Sequence, residues 1–215
     1  MKGTRLVLTI ALAAFSAARS DAQTVVRPDI SASIGWLNVN KSSLDDYNDW
    51  YNRGVHGAVA FGWYWTSHLK TEIEPSASSR VEFYSSRDEI INGQRAHVVS
   101  EFGFSTRRLT LSQQYQFGEN AWFHPHLAAG LDFNWEKTAR DDRYVYFLDV
   151  PPRQPPSIPQ NVTGPKRTDL HVRPLVGAGF KAYTTRRSFV RSDVRLVISD
   201  RLEEVLLRFG FGVDF

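Results

Sequence analysis

The chain of 215 residues has no cysteine and a single methionine. A disulfide framework and thiol chemistry are therefore excluded. No apolar run approaches the 18 or more residues of a transmembrane helix, so any bilayer crossing must use a closed barrel. Net charge is scarce as well. The 26 Lys and Arg against 23 Asp and Glu leave +3, too balanced for nucleic-acid binding by charge alone. What the chain does hold is aromatics, with six Trp, eight Tyr and fourteen Phe. Its length suits one domain.

The N-terminus carries Lys2 and Arg5, an apolar run from Leu6 to Phe15, and then small residues. This is the layout of a secretory signal peptide, and the run is too short to span a bilayer. Ser20-Asp21-Ala22 places the cut after Ala22, with Ala18 as the alternative. Residues 1–22 are thus expected to be removed, leaving 23–215 as the mature domain. Removing Lys2, Arg5, Arg19 and Asp21 lowers the formal charge from +3 to +1.

The last eleven residues alternate. Val205, Leu207, Phe209, Phe211, Val213 and Phe215 are apolar, whereas Arg208, Gly210, Gly212 and Asp214 between them are polar or small. Successive side chains of a strand point to opposite faces, so this is a strand with one apolar face. The same pattern recurs upstream. Ile30 to Val39 is a first strand. Val55 to Trp65 is a second, with Val59, Phe61, Trp63 and Trp65 opposite His56, Ala58, Ala60, Gly62 and Tyr64. A third starts at Leu69, with Lys70, Glu72 and Glu74 opposite Ile73; it weakens at Pro75 to Ser79 and resumes at Val81. A fourth is clear where Leu109, Leu111, Tyr115 and Phe117 alternate with Arg108, Thr110, Ser112, Gln114 and Gln116. A fifth runs from Ala121 to Glu136, with Trp122, His124, His126, Asp132 and Glu136 on its polar face. Leu170 to Tyr183 sets His171, Arg173 and Lys181 against Val172, Val176 and Phe180. A seventh strand sets Arg191, Asp193 and Arg195 against Val190, Val194 and Leu196.

Eight strands result, with connections that alternate between short (66–68, 118–120, 184–187) and longer (41–54, 86–95, 137–166). Short turns on one side and longer loops on the other mark transmembrane barrels. Opposed residues of a hairpin must share a face. This permits Trp65 opposite Leu69, Phe117 opposite Ala121, and Leu196 opposite Leu207. The last register would set Arg195 against Arg208, a like-charge pair that needs an acid nearby.

Alternation alone fits a soluble barrel with an apolar interior as well as a membrane barrel with a polar one. The polar set mixes charges with Gly62, Gly130, Gly177, Gly179, Gly210 and Gly212. An eight-stranded barrel has just enough room inside for side chains, and glycines make space for long neighbours. Trp63, Trp65, Tyr115, Phe117, Phe123 and Phe215 gather at the short-turn end, with Phe133 and Trp135 toward the other, as two aromatic girdles would. Both features place lipid outside. The expected fold is an all-β, eight-stranded antiparallel up-and-down transmembrane barrel. Its lumen would hold Lys70, Glu72, Arg108, Asp132, Arg173, Arg191, Asp193, Arg195, Arg208 and Asp214.

Signal peptide, alternation, turn lengths and terminal Phe215 together resemble the OmpA/OmpX-like small outer-membrane barrel family. That resemblance implies residence in the outer membrane of a Gram-negative bacterium. It also implies that Phe209, Phe211, Val213 and Phe215 form the signal read by the barrel-insertion machinery. Outer-membrane lipid is the surrounding partner, and nucleic acid is not one.

Chemistry is sparse. His124 and His126 share a face with Asp132, but a metal site needs more ligands. Asp45, Asp46 and Asp49 lack the Gly and distal Glu of a calcium loop. Asn161-Val-Thr163 matches a glycosylation sequon and is assigned to chance. His97, Ser100 and Glu101 contain relay residues, yet Ser100 falls on the face opposite the other two. No cofactor and no catalytic site are expected. Loops carry function on rigid scaffolds, which leaves Tyr47, Trp50 and Tyr51 and the Pro-rich 137–166 stretch as contact points for an extracellular partner. A narrow channel for small solutes or ions is the alternative, and a lipid-modifying enzyme a more distant one.

Overall fold

The computed structural model describes residues 28–40, 52–91, 94–118, 121–147, 162–164 and 166–215. Ten strands are assigned: β1 (Pro28–Val39), β2 (Asn52–Tyr64), β3 (Leu69–Ser78), β4 (Val81–Ile91), β5 (Gln94–Gln116), β6 (Phe123–Phe147), β7 (Val162–Thr163), β8 (Arg167–Tyr183), β9 (Ser188–Ile198) and β10 (Leu202–Asp214). All pairings are antiparallel. β3 and β4 are two halves of one stave, interrupted at Ser79 and Arg80. β7 is an appendage on β6. The remaining pairings close a ring of eight staves, with the C-terminal β10 beside the N-terminal β1 and β5 beside β6. Closure leaves no open edge in the bilayer-spanning part, which the absence of water there requires.

The fold is turned inside out relative to a soluble protein. Among the described residues, 26 buried side chains are polar or charged and 13 are apolar, so the enclosed space is the polar one. Ile34, Phe61, Trp63, Ile73, Leu127, Val172 and Phe211 are instead exposed on the outside. Along β6 the outward side chains run from Phe123 to Trp135, a climb of about 30 Å at a rise of about 3.3 Å per residue and a tilt of about 40°. That matches the roughly 25 Å apolar band of a membrane barrel. Trp36 and Trp135 mark its upper edge; Trp63, Trp65, Tyr115, Phe117, Phe123 and Phe215 mark its lower edge.

The turns at the terminal end follow local chemistry. The Thr66 hydroxyl accepts from the backbone N–H of His68 and Leu69, and the Thr185 hydroxyl from those of Arg187 and Ser188. Both are side-chain-closed turns of the kind Thr favours. Gly118 has φ +80°, a left-handed conformation that glycine adopts without steric cost.

Three expectations need correction. The Trp65–Leu69 hairpin has the expected register, but Gln116 faces His126 and Tyr115 faces Leu127, four residues away from pairing Phe117 with Ala121. The Trp122 carbonyl is taken by the Tyr183 N–H, so that residue belongs to the β8 side, and its ring is exposed rather than turned inward. In the last hairpin Arg208 faces Asp193 and Leu207 faces Val194. The two-residue shift replaces the like-charge Arg195–Arg208 pairing with an attractive one. A bulge between Leu202 and Glu204 accommodates it. Finally, the segments 86–95 and 137–166 are not simple loops. β4 and β5 continue to Ile91 and from Gln94, and β6 continues to Phe147. These extensions rise past the apolar band, where neither face needs to be apolar and alternation ceases to signal a strand.

Candidate functional site: a charge-filled lumen

Inward positions of all eight staves converge on one enclosed volume. Three groups of charges fill it. At the terminal end, Asp29 accepts from Lys70 at 2.9 Å and from Lys181 at 3.1 Å. Lys181 also reaches Asp214 at 2.6 Å, and the Tyr183 hydroxyl donates to the same carboxylate. Gln116 donates to the Tyr64 hydroxyl at 2.8 Å. The Lys181 ammonium lies 3.8 Å from the centre of the Phe189 ring, a cation–π contact.

The central group pairs three guanidiniums with three carboxylates. Arg191 grips Glu72 with two bonds, 2.8 and 3.2 Å, and touches Asp193 at 3.1 Å. Arg195 bonds Glu72 at 2.8 Å and Glu74 at 3.1 Å. Arg208 bonds Asp193 through two nitrogens at 2.8 and 2.9 Å and is ion-paired with Glu74. Each charge here has at least two partners of opposite sign, and Lys70 adds a bond to Glu72 at 2.8 Å. Arg208 and Glu72 are fully buried. Such a set is tolerable away from water because every charge is paired and the guanidiniums use their forked geometry.

Toward the loop end, Arg108 pairs with Asp132 and Glu204, while Arg173 pairs with Glu203 at 2.9 Å and Glu204 at 3.3 Å. Thr110 donates to Asp132 at 3.1 Å. Here inward positions on β1, β4, β5 and β10 also turn apolar, and Leu37, Val39, Val81, Phe104 and Leu206 form a buried cluster. Small voids lie between these groups, two of them of about 10 Å³ each, room for about one water. One lies among Lys70, Gln114, His126 and Lys181, the other among His56, Glu74, Arg108 and Arg195.

The structure turns the ten residues read as lumen charges inward and joins them through Asp29, Glu74, Lys181 and Glu204. Asp29 and Glu204 lie near strand ends, where alternation is short. Glu74 and Lys181 were on the polar face but carried no distinguishing motif. The apolar cluster breaks the polar-inside pattern and gave no signal at all.

Close packing makes the lumen intolerant of added bulk. A Cβ on Gly62 would lie 1.9 Å from the Asp29 carboxylate and 2.3 Å from Lys70 Cε, whereas one on outward-facing Gly57 would meet nothing within 4 Å. Gly62→Ala is expected to cost about 1–3 kcal/mol by overpacking, read as a lowered urea midpoint of the refolded barrel. Gly57→Ala, made in parallel, is expected to leave the midpoint unchanged within error.

The other candidates do not assemble. His97 is held by Asp88 at 2.7 Å, Ser100 by Arg140 at 3.4 Å, and Glu101 by Arg80 at 3.7 Å, so the three side chains engage different partners. His126 is buried in the lumen, while His124 stacks edge-on against Tyr183. No group of three or more His, Asp or Glu among the described residues is placed to hold a metal. Asp45, Asp46 and Asp49, Tyr47, Trp50 and Tyr51, residues 1–22, and Asn161 and the prolines of 151–165 lie outside the described residues.

A family profile described as "Outer membrane protein beta-barrel domain" matches residues 7–215. A search of curated protein sequences finds no match. Among solved structures, OprG from Pseudomonas aeruginosa is similar with a TM-score of 0.53 and 11% identity, covering 89% of this chain and 97% of its own. Neisserial surface protein A gives 0.50 and 13%, covering 88% and 97%. The attachment invasion locus protein Ail of Yersinia pestis, in complex with the heparin analogue sucrose octasulfate, gives 0.50 and 11%, covering 88% and 99%. At these identities the likeness is one of fold.

Proposed function

Since the chain belongs to the outer membrane protein beta-barrel domain family, we propose that it serves the bacterial outer membrane, where it resides, as a closed, non-enzymatic scaffold. Its extracellular connections do the work. The observation that carries this is the filled lumen: three layers of paired charges and an apolar cluster occupy it, and the voids beside Lys70 and beside His56 have room for about one water each. A conduit would need a continuous aqueous path, which belongs to barrels of about sixteen strands. With the interior committed to packing, recognition falls to the rim. Tyr47, Trp50 and Tyr51, together with the proline-rich stretch up to Pro165, supply aromatic and proline side chains suited to an extracellular partner. In this proposal residues 1–22 direct export and are removed.

Complementation of a deletion strain tests the division of labour. Chains trimmed within 41–51 and 148–161 are expected to insert at wild-type levels yet leave the deletion's surface phenotype, such as lost attachment, uncorrected. Solute uptake is expected to be equal in all strains. An uptake defect in the deletion, rescued equally by trimmed and full-length chains, would assign the function to the lumen and overturn the proposal.

The terminal strand supplies a separate expectation. Phe215 is 68% exposed, and its backbone N–H donates to the Pro28 carbonyl. Phe215→Ala keeps that bond and removes only a lipid-facing ring. If Phe209, Phe211, Val213 and Phe215 are the insertion signal, the variant is expected to accumulate in the periplasm severalfold over wild type while refolding normally in detergent. Equal membrane levels would remove the signal role.

A further inference from the structure

The outer face of the barrel is apolar across the bilayer, so exposed cations at its upper edge call for a ligand. Two occur on the face made by β5, β6 and β8. Arg107 stands opposite Trp135, and Lys137 is the next outward position above Trp135 on β6. Both are exposed, and neither is ion-paired among the described residues. Diagonal neighbours on a sheet face lie about 7–8 Å apart, which lets two long cationic side chains converge on one small anion. Ser105 on β5 and Thr168 on β8 flank Lys137 in register on the same face and add two hydroxyl donors.

The row above explains why these cations stay unneutralised. There the Arg80 guanidinium covers Gly103, where a Cβ would meet Arg80 Nε at 2.3 Å. Arg80 engages Glu82 at 3.2 Å and Glu101 at 3.7 Å. These two carboxylates already have a cation of their own. Below the pair the surface is apolar, with Leu109, Leu111, Leu170 and Val172 all at least 40% exposed. A ligand seated here would meet positive charge and hydroxyls at one end and a greasy wall along its length.

We propose that Arg107 and Lys137, with Ser105 and Thr168, bind a phosphate of the phosphorylated glycolipid headgroup in the outer leaflet. The acyl chains then lie along Leu109, Leu111, Leu170 and Val172. Arginine recognises phosphate through paired N–H groups, and lysine adds a point charge. The height fits, because Trp135 marks the upper edge of the apolar band and headgroups begin just above it. This inference rests on the membrane placement and is independent of the role given to the extracellular connections.

Native mass spectrometry and calorimetry on the detergent-refolded full barrel provide the test. The probes are diphosphoryl lipid A, fully dephosphorylated lipid A and inorganic phosphate. Diphosphoryl lipid A is expected to bind, and dephosphorylation to weaken it at least tenfold. The double variant Arg107→Ser with Lys137→Ser is expected to weaken it by a similar factor. Arg107→Lys with Lys137→Arg retains both charges and is expected to keep most of the binding. Arg186→Ser with Arg187→Ser, on the turn at the opposite rim, is expected to change affinity less than twofold. Equal binding of dephosphorylated lipid, unchanged affinity in the Ser double variant, or equal loss in the rim control would overturn the proposal. Displacement of lipid A by low-millimolar inorganic phosphate would identify a site for a free anion and overturn the lipid assignment.

Discussion

Asp193→Arg is expected to abolish recovery of the folded barrel, and adding Arg208→Asp to the same chain to restore it in part. Asp193 faces Arg208 across the β9–β10 hairpin, accepts from Arg208 and Arg191, and is ion-paired with Arg195 at 3.4 Å. Reversing its charge removes those attractions and places a fourth guanidinium among three. Breaking a buried pair costs about 3–5 kcal/mol, and like charges brought together cost several more. The sum is on the order of the whole stability of a small domain. Exchange with Arg208 returns one opposite-signed pair in register but sets the introduced carboxylate beside Glu74, so rescue is incomplete. Heat-dependent gel mobility of the refolded chains reads the result. A single variant that folds like wild type would mean that this register or this network is wrong.

The second large effect is expected at Glu72. Its carboxylate is fully buried and bonds Lys70, Arg191 and Arg195 at 2.8 Å each. Glu72→Ala leaves three cations sharing Asp29, Asp193 and Glu74, and is expected to lose about 3–5 kcal/mol. Glu72→Gln keeps the shape without the charge and is expected to lose less. Combination with Arg191→Ala removes charges of both signs, so the double variant is expected to cost clearly less than the sum of the two singles. The readout is equilibrium urea unfolding in detergent or lipid. Additive effects within about 0.5 kcal/mol would show that the two side chains do not act as a pair.

Much of this architecture was legible in the sequence, for a definite reason. The side-chain period of a strand is two, so alternation assigns faces even when the pairing is unknown. On that basis the apolar positions from Phe123 to Trp135 fell on one face and Arg108, Asp132 and Arg191 on the other, and the inward glycines and the aromatic girdles then turned the apolar face to lipid. Register was less legible, because a shift of two or four residues preserves every face. The shift that sets Arg208 against Asp193 rather than Arg195 is decided by charge pairing inside the closed ring. Strand length failed for a different reason. β4, upper β5 and upper β6 extend beyond the apolar band, where nothing requires one face to be greasy. The buried Leu37, Phe104 and Leu206 ran against the polar-inside rule and were invisible to it. Asp29 was overlooked because the alternation became readable only at Ile30, yet it anchors both Lys70 and Lys181.

The lumen network thus replaces the hydrophobic core of a soluble domain, and its closure is the claim on which the functional proposal depends. Single-channel recording of the refolded wild-type barrel in a planar bilayer tests it most directly. A closed lumen predicts no steady current above the lipid background, because the paired charges and the apolar cluster leave no continuous path. A reproducible, long-lived open state with ohmic conductance would contradict it.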